Sequence, residues 1–161
     1  MNNPRSLDKI APLFGKDLAL DYAQSGGFFE DADLRSGRRP NAPGIRRDLS
    51  VASGIENITQ AIANRLKTRR GELAALGHPE YGSRHHELVG EPNVERTRNL
   101  IKLYVLQALR QEPRIEKVLK ATVRAEHEPP REVVRVELEV RVIGEPVPLN
   151  LVVPFSLEVT L

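Results

Sequence analysis

Leu109-Arg110-Gln111-Glu112-Pro113-Arg114-Ile115 marks the point where the hydrophobic period of this chain changes. Before it, Val94 to Gln111 carries Leu100, Ile101, Leu103, Tyr104, Val105, Leu106, Ala108 and Leu109, enough to cover more than one face of a helix. After it, apolar residues alternate with polar ones, as in strands. Pro113 cannot continue a helix and pushes Glu112 toward extended geometry. The triplet is therefore expected at a stiff helix-to-sheet corner that turns its carboxylate and guanidinium outward. Taken locally, a helix stop with two solvated charges is the simpler explanation, since exposed charges rarely carry measurable energy.

Downstream, Leu119, Ala121, Val123 and Ala125 alternate with Lys120, Thr122 and Arg124. After a Glu128-Pro129-Pro130 turn, Val134, Val136, Leu138, Val140 and Val142 alternate with Arg135, Glu137, Glu139 and Arg141. This predicts antiparallel strands with one solvated face. Gly144-Glu145-Pro146 turns the chain into Leu149, Leu151, Val153, Phe155, Leu157, Val159 and Leu161. Pro148 and Pro154 cannot donate to a ladder, which predicts an edge strand running to the last residue. Such an edge either accepts a strand from another chain or is covered by the N-terminal segment.

Upstream, Ser53-Gly54-Ile55-Glu56 fits a capping box, and Ile55, Ile58, Ile62 and Leu66 recur at helical spacing. That helix is expected to stop near Arg70-Gly71, with Asn93 capping the second. Residues 1–47 are punctuated by Pro4, Pro12, Gly15, Gly26, Gly27, Gly37, Pro40, Pro43 and Gly44, and no internal repeat stands out. They read as a partly irregular arm, and residues 48–161 as the folded body. The expected class is α+β: two main helices packed on a small, mostly antiparallel three-stranded sheet, with an extended N-terminal arm.

Composition narrows the function. Absence of cysteine excludes disulfides and thiolate metal sites. Aromatic residues at 4% leave few platforms for stacking single-stranded nucleic acid. No apolar run approaches the roughly 20 residues of a membrane helix, so no membrane insertion is expected. The first residues lack a signal-peptide pattern, which points to a cytoplasmic product. Basic and acidic residues number 24 and 22 and are interspersed. The exception is Arg38, Arg39, Arg46 and Arg47, a basic linker or a site for nucleic acid or an acidic partner.

No catalytic constellation emerges. His78, His85, His86 and Glu87 are the best metal candidates, yet adjacent histidines tend to diverge, and a solvated polar loop accounts for them. Ser53 and Ser83 lack a nucleophile-elbow context, and Gly26-Gly27 is too little for a phosphate loop. Glycoside hydrolysis needs two carboxylates across a cleft, one with a raised pKa. Glu112 could be one, but Arg114 would lower its pKa. No cofactor is expected.

Asp48-Leu49, Ser53-Gly54, Glu56-Asn57, Gln60-Ala61-Ile62 and Asn64-Arg65-Leu66 carry a resemblance, continued by Thr68-Arg69-Arg70-Gly71-Glu72, Tyr81-Gly82-Ser83 and Glu112-Pro113-Arg114-Ile115. Across residues 46–159 the chain resembles the small baseplate-wedge protein family of contractile phage tails, type VI secretion and extracellular contractile injection systems. That family was once labelled lysozyme-like. The resemblance implies a structural protein without catalysis, assembled in the bacterial cytoplasm into a tail or injection-particle baseplate. Its implied partners are the larger wedge subunits and the sheath protein, with spike, hub or tube proteins as further candidates and no nucleic acid. It assigns wedge docking to Glu112, Pro113 and Arg114. It assigns strand exchange with the sheath to the terminal segment bearing Leu149, Leu151, Val153, Phe155, Leu157 and Val159. A cell-wall glycan hydrolase and a basic nucleic-acid-binding module are the competing classes, and residues 1–47 lie outside the resemblance.

Overall fold

The computed structural model describes residues 14–25, 28–38, 47–126 and 132–159. Pro4, Pro12, Gly26-Gly27, Arg39, Pro40, Pro43, Gly44, Arg46, the Glu128-Pro129-Pro130 turn and Leu161 lie outside them. The chain divides into two compact units, Met1–Gln60 and Ala61–Leu161.

In the first unit, the described residues of the segment read as a partly irregular arm form short strands. β1 (Lys16–Leu18) pairs with β6 (Val51–Ser53), β2 (Leu20–Ser25) with β3 (Phe28–Leu34), and β4 (Ser36–Arg38) with β5 (Arg47–Leu49), all antiparallel. The three ladders meet at Ala19, Arg35 and Ser50. Ala19 N–H donates to Ser50 O at 2.9 Å, Ser50 N–H to Arg35 O at 2.8 Å, and Arg35 N–H to Ala19 O at 2.8 Å. This closed triangle satisfies the backbone groups that a three-way branch would otherwise orphan. It also reveals a repeat hidden in the sequence: Asp17-Leu18, Asp33-Leu34 and Asp48-Leu49 each precede one corner.

The first helix, α1 (Ile55–Lys67), spans the division. Ile58, Ile62 and Leu66 are buried as their spacing predicts, but Ile55 is 40% exposed in the first turn. The capping box does not form as expected. Ser53 is the last residue of β6, paired with Lys16, and Glu56 accepts from Arg35 Nη1 at 2.6 Å. Two polar residues of the helix bind the N-terminal segment. Gln60 accepts from Leu20 N–H at 2.9 Å and donates to Leu18 O at 2.8 Å, while Asn57 donates to Phe14 O at 2.7 Å. The Gln60 amide acts as a substitute peptide at the strand edge, which makes burial of this polar side chain tolerable.

In the second unit, β7 (Ile115–Ala125), β8 (Val133–Val142) and β9 (Leu149–Ser156) form an antiparallel sheet in that order. The overall class is mixed α+β, but with several small sheets where a single three-stranded one was expected. Val134, Val136, Leu138, Val140 and Val142 on the central strand are all buried. The second helix, α2 (Glu95–Leu109), packs against β7 and buries Ile101, Val105, Ala108 and Leu109. Its cap position is Val94, and Asn93 instead accepts from Arg98 Nη1 at 2.9 Å. Two β-bulges shift β7, so that Val118 stands opposite Val140 and Ala121 opposite Leu138. The predicted alternation from Leu119 onward was therefore out of phase at its first residue, because a bulge adds one residue to a period of two.

Candidate functional site

The corner after α2 closes through a short series of turns. Gln111 N–H donates to Ala108 O, Glu112 N–H to Leu109 O at 3.1 Å, and Ile115 N–H to Glu112 O at 3.1 Å. This folds Glu112 inward, contrary to the expected outward display: Glu112 is only 4% exposed. Pro113 is exposed and Arg114 half-buried. The Glu112 carboxylate accepts from Arg114 Nε at 2.5 Å and from Arg65 Nη2 at 3.4 Å. Burial alone would push this carboxyl up, but the Arg114 hydrogen bond and the Arg114 and Arg65 charges outweigh it and hold the pKa below the usual range. The Arg114 guanidinium is raised in turn, chiefly by its bond to Glu112.

Arg65 is itself buried, lies over the Tyr81 ring at 4.4 Å, and has an Nε that meets no hydrogen-bond partner. Tyr81 is positioned by an unusual loop contact. α1 ends at Lys67, three residues before the expected Arg70, and Ser83 runs beside its exit: Ser83 N–H donates to Thr68 O at 2.9 Å and Arg70 N–H to Ser83 O at 3.2 Å. Gly82 makes this approach possible. Its φ is +99°, and a Cβ there would lie 2.6 Å from Thr68 O. Arg65, Tyr81, Glu112 and Arg114, from three separated motifs, thus form one buried charge cluster with two guanidiniums around one carboxylate.

Next to Ser83 lies a second buried polar group. His85 is 3% exposed and its Nδ1 stands 2.7 Å from Ser83 Oγ; His86 Nε2 stands 2.9 Å from Leu66 O. Their rings stack at 4.3 Å and both meet the Phe155 ring of β9 edge-on. The expected solvated loop is therefore a structural wedge at this point. Burial, with a smaller contribution from His86, lowers the His85 pKa to about 3. Glu87 pairs with Arg84 at 2.8 Å, and no group of three or more His, Asp or Glu among the described residues could hold a metal.

β9 pairs with β8 on one side and forms an edge of the sheet. Leu151 and Val153 are buried, Phe155 contacts the histidines, and Val152 is 52% exposed. Because Pro154 has no N–H to give to β8, its position and that of Val152, two residues before, direct their backbone groups to the open side. The strand stops at Ser156. Leu157 is buried, donates to Glu132 O at 2.9 Å and accepts from Gly90 N–H at 2.7 Å. Val159 is exposed. The predicted strand to the final residue is thus shorter, because the connector before α2 takes the backbone of Leu157. Beside it, Glu91, Glu126, Glu132 and Glu158 line an open cleft of about 840 Å³.

Arg38 and Arg47, from the expected basic linker, are cross-strand neighbours in the β4–β5 ladder. Among the described residues no helix is long and apolar enough to cross a membrane.

Comparison with known proteins places this geometry. The family model of baseplate wedge protein gp25 matches residues 52–147, which include α1, the cluster, α2, β7 and β8. A crystal structure of a candidate tail lysozyme from Geobacter sulfurreducens is similar, with a TM-score of 0.57 and 31% identity, covering 65% of this chain and 92% of that one. Among curated proteins there is no match.

Proposed function

The chain belongs to the baseplate wedge protein gp25 family, a structural component of a phage-tail-like baseplate, and from that premise we propose how it works there. It docks on the core bundle of the larger wedge subunits through the corner at Glu112-Pro113-Arg114 and starts the sheath by strand exchange along β9. It is assembled in the cytoplasm and catalyses nothing. The family match across the corner carries the docking half of this reading. The edge position of β9, beyond the matched residues, supports the sheath half.

Burial of Glu112 refines the docking role. The carboxylate holds Arg114 in place, and the exposed Pro113 with the accessible side of Arg114 is what a wedge subunit meets. The corner brings two guanidiniums to one carboxylate, so it is a better match for an acidic group of the partner than for a basic one. Imaging of assembled particles tests this: the chain should lie in each wedge with Pro113 and Arg114 at the interface. Particles that lack the chain, or that turn this corner to solvent, would reject it.

A glycan hydrolase remains the second reading, favoured by the cleft with Glu91, Glu126, Glu132 and Glu158 and by the description of the Geobacter sulfurreducens structure. Glu112 is a poor general acid because its pKa is lowered where that role needs it raised. Turnover of purified peptidoglycan by the wild type, lost in Glu126→Gln or Glu132→Gln, would establish this reading over the first.

A further inference from the structure

The triangle of Ala19, Arg35 and Ser50 has two faces. Ala19 is buried, and Arg35 reaches Asp21 and Glu56, so these corner residues point toward the helix side of the unit. Side chains alternate along a strand, so the neighbours of each corner point the other way. Leu18 pairs with Val51, Leu20 with Leu34, and Ser36 with Leu49, which places all of them on one outward face. Leu18, Leu34, Leu49 and Val51 are 41%, 51%, 47% and 56% exposed. Four large aliphatic side chains clustered around one branch point in water are characteristic of an interaction surface.

The same alternation puts Lys16, Arg38 and Arg47 on this face, two residues from Leu18, Ser36 and Leu49 respectively. Arg38 and Arg47 oppose each other directly, and neither meets a carboxylate among the described residues. Like charges across a ladder are unfavourable and are relieved by an anion between them. We infer that the outward face of this three-armed sheet docks another protein subunit through an aliphatic surface rimmed by carboxylates.

Two other occupants fit less well. A second copy would set the cations of one face against those of its twin. An anionic bilayer attracts net positive segments, whereas residues 1–60 hold eight basic and eight acidic residues.

The particle supplies the partner, so the inference rests on the baseplate reading, which incorporation of the wild-type chain tests separately. A photocrosslinker, Leu49→p-benzoylphenylalanine, is placed in the full chain and irradiated in assembled particles. The expected product joins position 49 to an aliphatic segment with Asp or Glu nearby in a different subunit. A crosslink within the chain, to a second copy, or to nothing overturns the inference. The double variant Arg38→Glu/Arg47→Glu should keep its thermal melt and enter particles at least tenfold less well; unchanged entry overturns the charge argument. Co-sedimentation of the isolated wild type with phosphatidylglycerol and phosphatidylcholine vesicles would assign the face to lipid instead.

Discussion

Arg65 and Glu112 lie 47 residues apart in the chain and meet at 3.4 Å, each side chain no more than 10% exposed. Arg65 arrives on the last turns of α1 and Glu112 after the last turn of α2. The pair thereby ties the ends of two helices within the second unit. Its removal should be felt in folding before it is felt in assembly.

Glu112→Ala leaves two guanidiniums without their shared counter-ion, one of them buried. Breaking a buried pair in this way costs about 3–5 kcal/mol. Arg114→Ala, with 21% of the side chain exposed, should cost less, about 1–2 kcal/mol. Urea unfolding at pH 7 checks both. Equal, negligible losses would mean that the cluster does not hold the corner. The clean assembly variant is therefore one at Arg114.

Gly82→Ala tests how Tyr81 is brought over Arg65. The substitution combines φ of +99° with a Cβ 2.6 Å from a backbone oxygen, and about 2–4 kcal/mol should be lost. Gly77→Ala is the control, since φ is +86° there but nothing lies within 4 Å, and its cost should stay near 1 kcal/mol. Similar melting temperatures for the two variants would remove the close-approach argument.

The buried histidine predicts an acid limb. His85 stays neutral in the folded chain down to about pH 3, whereas an unfolded histidine takes up a proton near pH 6.5. Its contribution is complete above pH 6.5 and is lost as pH falls toward 3, on the order of 5 kcal/mol in all. Glu112, with its lowered pKa, adds a loss that begins near the ordinary carboxylate value and deepens below it. His85→Gln should flatten the stability profile from pH 6.5 down to about pH 3, leaving only the carboxylate part of the fall below pH 4.5. An unchanged slope in that window would show that His85 is not the group responsible.

Val152→Pro removes one backbone N–H from the open side of β9 and none from the ladder with β8. Stability should fall by about 1 kcal/mol or less, since the side chain is 52% exposed. If strand exchange starts the sheath, baseplates should assemble while sheath length collapses in electron micrographs. Normal sheaths on variant baseplates would exclude the β9 edge. Trimming from Leu157 is a poorer test, because that residue is buried and bonded through both backbone groups.

The elements with a clean period were readable directly. Ile58, Ile62 and Leu66 specify a helix face, and the β8 valines specify a strand, because burial on one face imposes a spacing that no neighbour needs to supply. Pro154 likewise announced an edge. The bulges in β7 were not readable, since an inserted residue costs the local pattern nothing that a sequence displays. Ser53 and Glu56 carried a valid capping signature, but β6 and Arg35 claimed them first. The Asp-Leu repeat is not legible in the sequence because two residues recurring at spacings of 16 and 15 have no period of their own.

Local chemistry by itself determined the helices, the strands after Pro113 and the stiff turn at Pro113, whereas the short N-terminal strands depend on pairing between distant segments. Tertiary structure alone decided which charges are buried. Glu112 is solvated or enclosed according to whether Arg65 and Tyr81 arrive beside it, and their arrival depends on Gly82 lying against the end of α1. Burial of a charge is a property of its neighbours in space, so the character of the corner could not be read from Glu112-Pro113-Arg114 itself.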